Sequence, residues 1–416
     1  MEAPPAASIV ADNRLIDVRT GTETTWADLP RVDLVAPAAV VVQDSFGALA
    51  WAREHALTGA ELLVVAASRM EANLRAELLG GGFDVVTDSA GGPVVEASTD
   101  PRPAEDGRLW LLTSGSTGRP KRIGHTLDSL TTVAGDLAPR RWLCPYSPGT
   151  YAWWQVVTLA LGSPAQDLVV VDPTALDGWA EAAARYGVTA ASGTPTFWRQ
   201  ALMGQKAQLP DVPLEQITLG GEPVDQAILD QLRAVFPAAR ISWIYASSEL
   251  GASIVVHDGR AGFPVEWLDR ETEGRPRLAV RENELVIASP HHGEGLEGAV
   301  PTGDAVVVED GRVIITGRIN SDEINVGGAK VSAGVVRGVL QQHPDVAWAQ
   351  VRGRKSPMVG NLVVADIVLA DGVENTRELI TAIQAFAGES LPEYGVPRMV
   401  KVLDEIPVTV TGKSAL

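Results

Sequence analysis

The sequence predicts an α/β protein in which a large layered unit precedes a smaller α+β unit. Three observations carry that reading. From residue 38 short β-rich runs alternate with amphipathic stretches, the rhythm of a parallel sheet covered by helices. From about residue 254 the texture changes to short strands with tight turns. Beyond Arg318 a further unit of about a hundred residues begins, with its own strands and helices.

The elements follow in order. Val40 to Val42 reads as a buried strand, Phe46 to Leu57 as a helix and Leu62 to Ala66 as the next strand. Met70 to Leu79 is helical and ends at Gly80-Gly81-Gly82, after which Phe83 to Val86 opens another strand. Trp110 to Leu112 is a strand that runs into a Gly/Ser/Thr loop. The alternation continues with strands at Asp167 to Asp172, Thr189 to Ser192, Glu215 to Leu219 and Ile241 to Tyr245. Helices fall at Asp177 to Tyr186 and Asp225 to Val235. Glu284 to Ala288 is a short strand, and Asp310-Gly311 between apolar runs is a hairpin signal. The last unit reads as a hairpin, a helix at Ser332 to Gln342 and strands at Ala347 to Arg352 and Leu362 to Leu369. A helix at Thr376 to Gly388 and a terminal strand complete it.

Composition bounds the function. The 416 residues carry 45% hydrophobic and 21% charged side chains, an ordinary globular balance. Lys plus Arg total 34 against 52 Asp plus Glu, a formal charge of −18, which lacks the footprint of a nucleic-acid or anionic-membrane binder. Cys144 stands alone, so an intrachain disulfide and a thiolate metal cluster are excluded, and the expectation is cytoplasmic. Residues 1–13 are acidic and proline-broken, without the pattern of a signal peptide. His55, His125, His257, His291, His292 and His343 show no metal-site spacing, and His291-His292 in its Gly-rich loop reads as exposed.

The sharpest motif runs from Leu112 to Lys121, LTSGSTGRPK. Gly115 and Gly118 allow close approach of a ligand, Thr113, Ser114, Ser116 and Thr117 supply hydroxyl donors, and Lys121 ends the loop with a positive charge. A loop of donors after a strand suits phosphate oxygens. It is not a Walker A loop, because Gly-Lys-Ser/Thr is absent at the required spacing.

With this loop the chain resembles the adenylate-forming superfamily of acyl-CoA synthetases, peptide-synthetase adenylation domains and luciferases. Further matches follow in the family's order: Gly220-Gly221-Glu222-Pro223, Tyr245-Ala246-Ser247-Ser248-Glu249, Thr302-Gly303-Asp304, Gly317-Arg318, Gly327-Gly328-Ala329-Lys330, and Pro407 to Lys413. The resemblance implies a domain at 1–317 that binds ATP and a small, mobile catalytic domain at 318–416. It places Gly221 and Glu222 along the adenine, Tyr245 and Ala246 at its face, Asp304 on the ribose, and Arg318 on ribose or phosphate. It makes Glu249 an Mg²⁺ ligand and puts Ser248, Glu249 and Lys413 in the catalytic set. Gly327 and Gly328 would border the path of the thiol, and Asn320 or Ser321 would be the hinge pivot.

Departures from the pattern are Ala246 and Ser248 in place of Gly and Thr, a hinge one residue longer, and a short stretch before the phosphate loop. The last suggests a trimmed outer subdomain. The acyl pocket would draw on Tyr151, Trp153, Trp154, Thr194, Trp198 and Gly251, with the tryptophans shortening it. Core packing is the competing reading of those tryptophans. The implied reaction is activation of a small aromatic or short unsaturated carboxylic acid by ATP, then transfer to the thiol of CoA. Three alternatives stand beside it: loading of a carrier protein, adenylation of an unusual substrate such as nitrite, and a silent nucleotide-binding protein. Neither nucleic acid nor membrane is an expected partner.

Overall fold

The computed structural model describes residues 9–88, 92–113, 121–133, 135–296, 298–319, 322–356, 360–409 and 413–414. Among these residues the strands form four sheets. No helix among them is long and apolar enough to cross a membrane.

The first sheet runs Val94–Glu96, Asp84–Thr87, Ala38–Val42, Leu62–Ala66, Leu109–Thr113, Lys121–His125. Its four inner strands are parallel and its two edges antiparallel. Ala38–Val42 and Leu62–Ala66 are buried at every position, as continuous apolar runs between two covered faces should be.

The second sheet has eight strands in the order Gly251–Val256, Arg240–Ser247, Gln216–Gly220, Ala190–Gly193, Arg140–Cys144, Gln166–Val170, Arg14–Asp17, Thr22–Thr25. The six inner strands are parallel, so the alternation read from sequence yields parallel sheets in both layers. The sequence reading had no element before residue 38. Arg14–Asp17 nevertheless pairs with Gln166–Val170 and extends this sheet. The helix Tyr151–Gly162 lies in the core shared by the two sheets, where Leu15, Val40, Trp51, Trp153, Trp154 and Leu168 pack together.

A third, antiparallel sheet follows in the order Phe263–Pro264, Arg312–Arg318, Val300–Glu309, Glu284–Ala288, Arg277–Arg281. Its Asp310-Gly311 turn closes the hairpin with φ of 47° and 71°, the mirror-image turn that matches strand twist. The fourth sheet, Ala329–Ser332, Glu323–Val326, Gly360–Leu369 and Val346–Ser356 with Met399–Leu403 beside Gly360–Leu369, has its own core around Val336, Leu340, Ile367 and Ile383. The observed class is therefore mixed α/β with a smaller α+β unit at the C-terminal side.

Candidate functional site

The parallel strands of the second sheet end in turns that carry most of the motif residues, the usual place for a site in an open α/β sheet. Gln216–Gly220 delivers Gly221 and Glu222, and Arg240–Ser247 delivers Tyr245, Ala246, Ser248 and Glu249. Ala190–Gly193 runs into Thr194, whose hydroxyl accepts from the Phe197 amide and caps the helix Pro195–Gly204.

Two motifs far apart in sequence meet at Asp304. The Tyr245 hydroxyl donates to Asp304 Oδ2 at 2.5 Å, and Arg318 Nε lies 3.2 Å from Asp304 Oδ1. Asp304 and Arg318 are register partners on neighbouring strands, which fixes their pairing. Arg318 also donates to the Thr302 carbonyl at 2.7 Å, and its own amide is held by Asp322 at 2.8 Å. Asp304 is buried while Arg318 is 62% exposed on its side chain, so the carboxylate is fixed and the guanidinium faces open space. Burial raises the Asp304 carboxyl above its ordinary value against the opposing pull of the Tyr245 hydrogen bond and the Arg318 charge. Burial and the neighbouring Asp304 likewise push the Tyr245 phenol up.

Lys413 reaches the same region from the other end of the chain. Its Nζ lies 3.5 Å from the point where a Cβ on Gly221 would stand. Lys413 is open to solvent, yet the surrounding protein desolvates its ammonium and lowers its pKa, and the nearby carboxylates of Glu222 and Glu249 raise it in part. Glu222 Oε1 accepts from the Ser414 amide at 2.6 Å and from its hydroxyl at 2.8 Å. Lys413, Glu222, Glu249 and Arg318 thus form one electrostatic cluster.

Gly327 and Gly328 are placed elsewhere. They form a two-residue turn with φ of 60° and 92°, a conformation that side-chain-bearing residues avoid. A Cβ on either would meet open space. Thr113 and Lys121 stand opposite each other across two paired strands. Ser114, Gly115, Ser116, Thr117 and Gly118 between them lie outside the described residues, as do Asn320 and Ser321.

The acyl-segment residues divide. Tyr151 accepts from the Ala252 amide at 2.8 Å, tying the helix Tyr151–Gly162 to the turn after Glu249. A Cβ on Gly251 would come within 2.8 Å of the His291 carbonyl, so this closely packed crossing requires glycine. Trp153 and Trp154 are fully buried in the core between the two large sheets, and neither indole N–H has a hydrogen-bond partner. Trp198 is fully buried in the other large core, edge-on to Trp179 and Phe197, and donates to the Thr218 carbonyl at 3.3 Å.

Two features escaped the sequence reading. His125 is buried, with Nε2 2.7 Å from the Ser248 carbonyl and Nδ1 2.9 Å from the Ser129 hydroxyl, so it braces the turn that carries Glu249. Burial lowers its pKa. His291 and His292 are half-buried rather than exposed, because this loop folds back over Gly251 and pairs the Gly293 amide with the Glu249 carbonyl at 2.7 Å. Only His125's place shortly after the phosphate loop could have singled it out. No group of three or more His, Cys, Asp or Glu residues that could cage a metal occurs among the described residues.

Comparison with known proteins matches most of the chain. The family described as AMP-binding enzyme matches residues 35–318, and its C-terminal domain matches residues 338–413. Acetyl-coenzyme A synthetase of Bacillus subtilis (strain 168) is 24% identical over 353 residues, covering 74% of this chain. This chain spans 60% of that relative's length. A fatty acid–[acyl-carrier-protein] ligase of Streptomyces coeruleorubidus is 27% identical over 367 residues, covering 76% of this chain and 68% of its own. Among solved structures, a benzoate CoA ligase from Burkholderia xenovorans LB400 superposes with a TM-score of 0.75 at 17% identity, covering 97% of this chain and 95% of that one. That likeness establishes a shared fold.

Proposed function

The chain belongs to the AMP-binding enzyme family, and from that premise we propose that it joins a carboxylic acid to a thiol in two half-reactions driven by ATP. The observation that carries the reading is the convergence of Lys413, Glu222, Glu249 and Arg318 beside the Tyr245–Asp304 pair. In the first half-reaction an oxygen of the acid bonds to the α-phosphorus of ATP, and the bridging oxygen leaves with pyrophosphate. In the second the sulfur of CoA bonds to the acyl carbon, the bond to AMP breaks, and the thiol proton passes to solvent.

Each residue has a task suited to its setting. Asp304, buried and oriented by Tyr245, accepts from the ribose hydroxyls, and a charged acceptor strengthens such bonds. Tyr245 offers its ring to the adenine, with Gly221, Glu222 and Ala246 lining the base through their backbone. Arg318 takes ribose or phosphate oxygens. The ammonium of Lys413 sits where charge grows on the α-phosphate. Thr113, Lys121 and the loop between them hold the departing phosphates. Glu249 fits Mg²⁺ carried on the nucleotide, since that ion uses one or two carboxylates plus phosphate and water oxygens and would offset phosphate charge.

On this reading residues 1–317 form the adenylation domain and 318–416 the small domain that turns about the hinge between steps. The substrate is a small aromatic or short unsaturated acid, bounded by Tyr151, Thr194, Gly251 and the tryptophan segments. A second acceptor, the phosphopantetheine arm of a carrier protein, draws support from Arg352, Arg354 and Lys355 on one exposed stretch of Val346–Ser356 and from the carrier-protein ligase relative. The same cluster suits a CoA phosphate. Pyrophosphate release with a panel of acids, with and without CoA, tests the proposal. Acid-dependent release followed by CoA-dependent thioester supports it, and no release with any acid opposes it.

A further inference from the structure

The helix Pro195–Gly204 and the segment entering the helix Gln226–Val235 face the small domain with two matched rungs. Thr196 and Arg199 are three apart on the first helix and so share its side, while Glu222 lies in the segment before the helix Gln226–Val235 and Asp225 caps it. In the first rung Glu222 accepts from the Thr196 amide at 2.9 Å and its hydroxyl at 3.0 Å. The same carboxylate accepts from the amide and hydroxyl of Ser414, the neighbour of Lys413. In the second rung Asp225 Oδ2 pairs with Arg199 and accepts from Gln341 Nε2 at 2.7 Å. Arg199, 3% exposed, also donates to the Ala347 carbonyl at 2.9 Å. Met203, further along the first helix, packs against Trp348 and Ile406.

Every small-domain group in these rungs meets a carboxylate or guanidinium already anchored by the large domain. A carboxylate held on one side by backbone and hydroxyl donors needs no reordering to receive donors on the other, and bonds to a charged acceptor are the strong kind. From this geometry we propose that Glu222 and Asp225 form the seat that fixes the small domain with Lys413 in the site, making Glu222 the positioning residue for Lys413. Glu222 acts through its side chain on the lysine-bearing segment. The geometry stands without a substrate; its consequence for catalysis rests on the adenylation role proposed for Lys413.

The test is competitive acetylation of the full chain with trace acetic anhydride, read lysine by lysine by mass spectrometry, with exposed Lys330 as internal reference. In the wild-type protein Lys413, exposed and with its pKa lowered by the site, reacts faster than Lys330. Glu222→Ala brings the ratio of Lys413 to Lys330 labelling down toward one, because an unseated lysine leaves the surroundings that lower its pKa. Removing the negative charge beside a lysine that stayed seated would instead raise the ratio, and two further variants isolate the seating. Ser414→Pro leaves the Glu222 charge in place but removes the donating amide and hydroxyl, and it lowers the ratio as much. Glu222→Gln keeps the oxygen that takes Ser414 and stays closer to wild type. A Lys413 as reactive as Lys330 in wild type, or a ratio unmoved by Ser414→Pro, overturns the seat. Because no substrate is present, that failure leaves the proposed reaction untouched. Conversely, a Lys413 more reactive than Lys330 in a protein that releases no pyrophosphate with any acid defeats the reaction and keeps the seat.

Discussion

Replacing Asp304 by Asn separates ligand recognition from folding. Asp304 is 8% exposed, and its carboxylate receives the Tyr245 hydroxyl and pairs with Arg318 on the neighbouring strand. Asn retains an oxygen for Tyr245, and the Asp304 amide still donates to Thr302 within the turn. Burial raises the Asp304 carboxyl, so its ionised form costs folded-state stability above that raised pKa, a cost that fades as the pH falls below it. Removing the charge therefore leaves the melting temperature unchanged or higher at neutral pH. Nucleotide binding responds in the opposite way. Two ribose hydroxyls donating to a carboxylate are worth about 1.5 kcal/mol each at the low end, roughly 3 kcal/mol together, or about a hundredfold in affinity. Calorimetric titration with ATP measures it. Wild-type affinity in a folded Asp304→Asn protein would refute the ribose assignment. Wild-type affinity itself weakens on acidification at a higher pH than an ordinary Asp would give, because the ionised form binds and its pKa is raised.

Three further outcomes follow. Gly328→Trp, in the exposed turn of the small domain, should permit adenylate formation but stall thioester formation; equal loss in both steps in a quench-flow comparison would sink the thiol-path role. Trp154→Ala should admit longer acids, read as a shifted chain-length profile in the pyrophosphate assay, whereas an unchanged profile in a folded variant assigns this indole to core packing alone. Glu61 is fully buried and accepts from Arg102, the Glu105 amide and Trp110, which together outweigh burial and hold its carboxyl below the ordinary value. Its contribution is present above the unfolded carboxylate pKa and is lost as pH falls through the lower folded one. Glu61→Ala should cost about 3 kcal/mol near neutral pH in urea unfolding, since it strands a part-buried guanidinium. A cost below about 1 kcal/mol, the range of surface pairs, would contradict this.

The fold was legible where apolar runs are continuous. Ala38–Val42, Leu62–Ala66 and Gln166–Val170 carry enough successive buried residues to declare a strand between covered faces. Arg14–Asp17 offers only Leu15 and Ile16 between polar neighbours, and its place beside Leu168 and Val169 is made by the tertiary fold. The site divides in the same way. Residues that must present a particular chemistry at a particular spacing, such as Tyr245, Asp304 and Lys413, show in the sequence. Residues that act by meeting a distant partner do not. Ser414 is 192 positions from Glu222 and His125 is 123 from Ser248, and no local pattern announces either contact. The burial of Trp198 beside Trp179 and Phe197 is of the same kind.

The central claim is that a carboxylic acid is adenylated with Lys413 docked against Gly221 and Glu222, and that thiol transfer does not use this lysine. Lys413→Ala tests it when both half-reactions are followed in single turnovers, with an acid that the wild-type protein accepts. Pyrophosphate release should fall by roughly 10²–10³-fold, the scale of one lost electrostatic contact to developing charge. Conversion of chemically prepared acyl-adenylate to thioester should stay within a few-fold of wild type. Equal loss in the two steps, or undiminished pyrophosphate release, would contradict the account.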